Sequence, residues 1–363
     1  MKYRQFITDR TEFYQIPYPL ALELGDTLFE VQIAYRTWGT LNAKGDNAIL
    51  ICHGFTANAD ADLWWHELFG EGKIFDPSVD FIVCSNILGS CYGTTGAASI
   101  DPATGKTYGA NFPAITIRDM VRSQAALMEG LGIKQWKLVT GGSLGGMQTL
   151  EWAVMYPDLI RAIAPIATSG RHSAWSIALG EAQRQAIYAD PHWHHGFYDH
   201  FSDHFSDQFH DQSEEKVKPD RGLAIARMIA TCSYYGHLDF EQRFSRQVDS
   251  SGNFAIVNYL QQEGQKLVAR FDANAYVSLT KAMDTHDLGR DRGDYYQVLA
   301  NIPHPTIVVA TGSDLLYFAQ EQEELAQFIP QAKLAWLDSI HGHDSFLIAL
   351  EQLNQIIKTH LFP

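Results

Sequence analysis

Cysteine is scarce in this sequence. Cys52, Cys84, Cys91 and Cys232 are the only four in 363 residues, and none stands in a CxxC pair. That excludes a disulfide-stapled scaffold, and the expectation is a cytoplasmic protein with reduced thiols. Positive charge is also short: 27 Lys and Arg face 42 Asp and Glu, a formal net charge of −15. Such a balance disfavours a nucleic-acid backbone or an anionic membrane surface as the main partner. Long apolar runs are missing as well. The longest aliphatic stretch, around residues 48–52, is far below the roughly 18 to 20 residues that a membrane-spanning helix needs. The first ten residues carry charges where a secretory leader would be apolar, so nothing marks the chain for export. No repeat of fixed period is present.

What the sequence does have is material for a core, with 46% hydrophobic and 12% aromatic residues. Short β-branched or apolar runs alternate with helical patterns, which predicts an α/β fold with a mostly parallel sheet and helices on both faces. Strands are expected at 29–35, 48–52, 81–84, 136–140, 162–167, 306–310 and 333–337. Helices are expected at 116–131, where Ile117, Met120, Val121, Gln124 and Leu127 share a face, and at 145–155, 319–328 and 344–357. Residues 170–302 have helical composition and few strand-like runs, so they read as a helical insertion into the α/β core. Inside it, 191–219 is crowded with His192, His194, His195, His200, His204 and His210. Imidazoles in number suggest a metal site. The tract lacks a rigid ligand pattern such as HExxH, however, and the reading preferred here is a solvated surface excursion.

The strongest chemical signal is Gly141-Gly142-Ser143-Leu144-Gly145, a G-x-S-x-G sequence between a strand pattern and a helix pattern. This is the context of a nucleophile elbow, where small neighbours allow a turn too tight for side chains. Ser143 would stand at the carboxyl edge of the sheet and the amino end of a helix. An alkyl hydroxyl is a weak nucleophile at neutral pH and needs a base and an orienting acid. Asp314 follows the strand at 306–310, and His343 follows the strand at 333–337, which gives the order serine, acid, histidine. His341 competes, but His343 follows a glycine and directly precedes a helical pattern. Two backbone N–H groups must hold the oxyanion. One is expected from Leu144, and the other from Phe55 in the loop His53-Gly54-Phe55-Thr56, with His53 expected to be structural.

Longer segments carry a resemblance. Ser90-Cys91-Tyr92-Gly93-Thr94-Thr95-Gly96, Asp101-Pro102-Ala103-Thr104-Gly105-Lys106, Phe112-Pro113 followed by Thr116-Ile117-Arg118-Asp119-Met120-Val121, the elbow extended to Trp152, Arg270-Phe271-Asp272-Ala273-Asn274 and Gly342-His343-Asp344-Ser345-Phe346-Leu347 resemble the homoserine O-acetyltransferase family. The resemblance spans nearly the whole chain. It implies an α/β-hydrolase fold with an eight-stranded sheet, a core of residues 1–169 and 303–363, and a helical lid at 170–302. It also implies transfer of an acetyl group from acetyl-coenzyme A to the hydroxyl of L-homoserine in methionine biosynthesis.

Residue by residue, the family's triad falls on Ser143, Asp314 and His343 and its oxyanion donors on Phe55 and Leu144. The arginine of its GLxxAR segment, which holds the amino-acid carboxylate, falls on Arg227, with Tyr234 assisting. Asp344 would meet the substrate ammonium, and Thr56 would line that pocket. Read without the resemblance, a salt bridge within the lid is the safer reading of Arg227. The family further implies a homodimer joined through lid helices, with no metal or redox cofactor and with the thioester as a substrate. Phe55 stands where the family commonly has leucine, the segment 315–318 lacks the family's common proline and the segment after Tyr234 its common serine; a succinyl donor, a serine acceptor or an esterase of the same fold stay as alternatives.

Overall fold

The structure is a computed structural model and describes residues 7–198 and 218–362. Its strands are β1 (Glu12–Gln15), β2 (Leu20–Ala21), β3 (Thr27–Leu28), β4 (Gln32–Trp38), β5 (Ala48–Cys52), β6 (Phe81–Ser85), β7 (Trp136–Gly142), β8 (Ile163–Ile166), β9 (Thr306–Thr311) and β10 (Ala332–Leu337). Eight of them form one sheet in the order β1-β4-β6-β5-β7-β8-β9-β10, while β2 and β3 pair as a separate hairpin. The strands from β6 to β10 run parallel, and β1 and β4 close one edge in antiparallel pairings.

All five residues of β5 are buried, as a parallel strand covered on both faces requires. The pleat sends Leu50, Val83 and Val139 to one face, where they meet Met120 and Leu127 of α2 (Ile117–Gly130) and Met147 and Leu150 of α3 (Leu144–Met155). It sends Ile49, Ile51, Ile82 and Leu138 to the other, against Trp65, Phe75, and Leu353 and Ile357 near the carboxyl end. Trp65 follows the short helix α1 (Ala61–Trp64). The start of α2 is fixed by a capping box in which Thr116 and Asp119 bond each other's backbone N–H.

Between β8 and β9 the described residues form α4 (Ala174–Tyr188), α5 (Asp220–Tyr234), α6 (His237–Arg243), α7 (Ala255–Arg270), α8 (Ala273–Asp284) and α9 (Tyr295–Ala300), and contribute no strand to the main sheet. This inserted segment is tied to the sheet layer by a buried charge network. Arg118 on α2 reaches Glu151 on α3 at 3.1 Å, Glu23 at 2.6 Å and the carbonyls of Asp287 and Arg290. Arg290 and Arg292 in turn meet Glu23 and Glu151 at 2.9 and 2.7 Å.

Two expectations need correction, and one edge strand lies where none is expected. The strand expected at 29–35 is displaced to Gln32–Trp38, because Glu30 has a φ of 52°, which no strand tolerates, and Phe29 is exposed. The edge strand β1, mostly exposed and only four residues long, carries too little apolar pattern to be read from sequence. The helix expected at 344–357 is broken into α11 (Ser345–Ile348) and α12 (Leu350–Leu361). The Trp65 indole N–H takes the carbonyl of Phe346 at 2.9 Å, which a continuous helix would give to the N–H of residue 350. The helix α10 (Ala319–Phe328) falls where the pattern put it.

Of the histidine tract, His200, His204 and His210 lie outside the described residues. His192, His194 and His195 lie within them, and among the described residues no group of three His, Cys, Asp or Glu is disposed to hold a metal ion. No helix among them is long and apolar enough to cross a membrane.

Candidate active site

Ser143 occupies the turn from β7 into α3 with φ 60° and ψ −126°, a strained conformation held from several directions. Its N–H bonds the carbonyl of Ile166 at 2.9 Å, and its carbonyl accepts the Thr168 hydroxyl at 2.9 Å. The glycines of the elbow are steric necessities: a Cβ on Gly141 would lie 2.3 Å from the Cys52 carbonyl oxygen, and one on Gly145 would lie 2.0 Å from it.

Asp314 follows β9 and is buried. One carboxylate oxygen accepts the N–H groups of Leu316 and Tyr317 at 2.8 and 3.0 Å, and the other meets His343 Nδ1 at 2.7 Å. This places the ring proton on Nδ1 and leaves the Nε2 lone pair free to accept a proton. Burial alone would lower the His343 pKa, but the charge and hydrogen bond of Asp314 outweigh it and the net direction is up. No hydrogen bond joins Ser143 Oγ to His343 among the described residues, a contact that is commonly long in unliganded sites and tightens with substrate. His341, the competing base, turns elsewhere: its Nδ1 meets Asp239 of α6 at 2.5 Å.

The N–H groups of Phe55 and Leu144 have no intramolecular acceptor among the described residues, so both are available to an external anion. His53 braces the first of these loops. It donates from Nδ1 to the Gly54 carbonyl at 2.8 Å and accepts the Ile87 N–H at 3.1 Å, and burial holds its pKa down at about 4. It is therefore a neutral structural imidazole.

A cavity of about 360 Å³ brings together Ser143, His343, Phe55, Thr56, Arg227, Tyr234 and Asp344. Leu144 lies directly behind Ser143 in the chain, and Asp314 sits behind His343. Arg227 has a loose ion pair with Glu263, 3.7 Å away, and its guanidinium stacks over the Tyr234 ring at 5.1 Å. Burial pushes the Asp344 carboxyl up, and the charges of His343 and Arg227 offset only part of that. Burial also raises the Tyr234 phenol, which keeps its O–H at neutral pH.

Arg270 and Tyr92 also line this cavity, and the sequence assigned neither of them a role. Both stand in the segments quoted for the family resemblance, which was the one signal available. A second chamber, of about 30 Å³, meets Ser143 from the side of the inserted helices, between Leu179, Met283, Leu316 and Tyr317.

The chain matches the model of the alpha/beta hydrolase fold family over residues 47–349. It is 57% identical to the homoserine O-acetyltransferase of Nostoc punctiforme, with 99% of this chain and 98% of the relative covered. Against the homoserine O-acetyltransferase of Chloroherpeton thalassium the identity is 55%, covering 98% and 90%. Among solved structures, the homoserine O-acetyltransferase from Bacillus anthracis superimposes with a TM-score of 0.85 at 25% identity, covering 97% of each chain. Esterase E22 does so with 0.84 at 26% identity, covering 97% and 99%. Identity of this order over nearly the full length of both chains, on a sheet that presents a serine elbow, means that the chain belongs to the homoserine O-acetyltransferase family of alpha/beta hydrolase fold proteins.

Proposed function

We infer that this protein transfers the acetyl group of acetyl-coenzyme A to the hydroxyl of L-homoserine, a step of methionine biosynthesis, through an acetyl-Ser143 intermediate. The observation that carries the reading is one cavity that holds a serine and its histidine together with Arg227 and Asp344. A guanidinium suits the acceptor's carboxylate through charge-assisted bonds, and a buried carboxyl that gains a cation partner suits its ammonium. Thr56 and the Tyr234 hydroxyl line the same space.

In the first half-reaction His343 Nε2 takes the Ser143 proton and Oγ attacks the thioester carbonyl. The oxyanion rests on the N–H groups of Phe55 and Leu144. Collapse breaks the C–S bond, and His343 returns its proton to the sulfur, releasing coenzyme A. In the second half-reaction the homoserine hydroxyl gives its proton to His343 and attacks the acetyl ester. The bond to Ser143 Oγ breaks, and the proton goes back to the serine. Asp314 holds the imidazole in the required tautomer throughout. The small chamber beside Ser143 has room on the order of one or two water-sized groups, which supports a short acyl chain over a long one.

The inserted segment 170–302 acts in this reading as a lid that supplies Arg227 and Tyr234 and keeps bulk water from the acyl-enzyme. Its exposed apolar side chains Leu238, Val248, Phe254 and Val257 support a homodimer through the lid helices, testable by light scattering.

The deciding experiment is thiol release from acetyl- and succinyl-coenzyme A, with L-homoserine, L-serine or neither, in wild type and Ser143→Ala. Release that needs acetyl-coenzyme A and homoserine and is lost in the variant is the expected result. Release indifferent to homoserine would make the protein a hydrolase and sink the reading.

A further inference from the structure

The loop that carries the Phe55 donor is gripped from the inserted segment, by both its backbone and its side chain. At the end of α7, the Arg270 Nη1 group donates to the carbonyl of Thr56 at 2.5 Å and to the Tyr92 hydroxyl, while Nη2 lies 3.4 Å from Thr56 Oγ1. The Thr56 carbonyl is one residue beyond the N–H that would face the oxyanion. Around the same turn the Phe55 ring is enclosed by Tyr276 of α8, with centroids 4.5 Å apart, and by Phe271, 6.3 Å away. Phe271 also packs edge-on to Tyr92 at 5.7 Å. The phenyl ring at position 55 thus fills an aromatic enclosure whose other walls come largely from residues 271–276.

We propose that Arg270 is a positioning residue for the oxyanion hole: it locks the Phe55-Thr56 backbone, with the rings of Phe271 and Tyr276 holding the adjacent side chain. Oxyanion donors stabilise a transition state only when aimed beforehand, and a displacement of about 1 Å is enough to cost two orders of magnitude in rate. The Phe55 loop follows β5 and belongs to the sheet layer, whereas its clamp belongs to the inserted helices. One of the two donors is therefore competent only while the inserted segment is docked. This rests on the function proposed above, because it takes Ser143 as the nucleophile and Phe55 as a donor.

The test is the acylation of Ser143 measured without homoserine, using two donors, acetyl-coenzyme A and p-nitrophenyl acetate, and following the burst of thiol or nitrophenolate. The ester carries neither coenzyme nor amino acid, so it reports the oxyanion hole without substrate-binding contacts. Arg270→Ala should slow acylation by both donors by the same factor, between about tenfold and a hundredfold, with the half-saturating concentration of each donor unchanged. Arg270→Lys, which keeps one donor to the Thr56 carbonyl, should recover part of the rate. Tyr92→Phe, which keeps the ring but loses a partner of Arg270 and the hydroxyl's own 3.5 Å contact to the Thr56 carbonyl, should show a smaller loss in the same sense, and it keeps the test open if Arg270→Ala fails to fold.

A loss confined to acetyl-coenzyme A, expressed in its half-saturating concentration, would make Arg270 a substrate-binding group and overturn the proposal. Unchanged acylation by both donors would overturn it as well. Absence of a Ser143-dependent burst in the wild type would instead sink the underlying functional reading.

Discussion

Glu151 is the most exacting place to test how the inserted segment is held. Its side chain is about 1% exposed on α3, and each carboxylate oxygen serves a different arginine: Arg118 on α2 at 3.1 Å and Arg292, in the chain's return toward β9, at 2.7 Å. Glu151→Gln keeps the shape but turns one acceptor into an N–H₂ group facing a guanidinium. Removing one partner of a buried pair generally costs about 3 to 5 kcal/mol, because the other charge stays buried and unpaired. Here Arg118 keeps Glu23 at 2.6 Å and two backbone carbonyls, and Arg292 is partly solvated, so the expected loss sits at the lower end, about 3 kcal/mol. Urea unfolding followed by tryptophan fluorescence should show an unchanged slope and a lowered midpoint, the midpoint shift times the slope equalling that loss. Arg292→Gln alone should cost less, and the double variant should fall short of the sum by at least about 1 kcal/mol, as groups in direct contact do. A loss under about 1 kcal/mol for Glu151→Gln, or strict additivity, would refute the view that this network carries the joint.

Glu321, on α10, has one carboxylate oxygen buried without a partner among the described residues, and burial first, then Asp314, pushes its carboxyl up to about 7. A carboxyl raised in the fold favours the protonated form, so its contribution is present below the unfolded value near 4.5 and is lost as pH rises through about 7. Glu321→Gln should gain about 1 to 2 kcal/mol over wild type between pH 5 and pH 8, after allowing for solvent screening of a half-buried group; parallel urea midpoints across that range would refute it. Because His343 must be neutral to act and its pKa is raised, acylation should fall on the acid side with a midpoint above the ordinary value of 6.5. Asp314→Asn should move that midpoint downward, leaving burial dominant, and cut the rate by roughly 10³ to 10⁴; an unmoved midpoint would mean another group titrates. His341→Gln should keep the turnover rate within about twofold, since His341 is engaged with Asp239, whereas His343→Gln should abolish turnover; the reverse pattern would exchange their roles.

The parts of this site that were legible in the sequence are those whose physics is local. The elbow can be read because a Cβ at position 141 or 145 would collide with the Cys52 carbonyl oxygen, so the steric demand is written into adjacent residues. Asp314 and His343 can be read because a parallel sheet delivers the loops after its strands to one edge, and strands β9 and β10 are marked by their own apolar runs. What escaped depends on contacts between distant residues. The break between α11 and α12 is made by an indole 281 positions away in the chain, and nothing in 344–357 encodes it. The displacement of β4 turns on the positive φ of Glu30, which its residue type does not advertise. Arg270 meets Thr56 across 214 positions, so its segment could be recognised while its task could not.

These long-range contacts share a direction: each runs between the inserted helices and the sheet layer, or braces a loop at the sheet's carboxyl edge. The backbone of Tyr234–Gly236 lies so close to the loop before His343 that a Cβ on Gly342 would fall 2.4 Å from the Gly236 nitrogen. The end of α5, which carries Tyr234 and, two turns earlier, Arg227, is thereby fixed against the turn that carries the base. Arg270 fixes the end of α7 against the oxyanion loop, and the Arg118 network fixes the segment's return. A serine hydrolase needs only the sheet's own loops for nucleophile, base and acid. Here Arg227 and Tyr234, the groups proposed for the acceptor's carboxylate, and the proposed clamp on one oxyanion donor arrive with the insertion, whereas Asp344 comes from the loop that carries His343. On the function and clamp proposed above, docking of that one segment would complete both the acceptor's carboxylate site and the oxyanion hole, so a site open enough for water to reach an acetyl-serine would also have an unlocked donor and little capacity to form it.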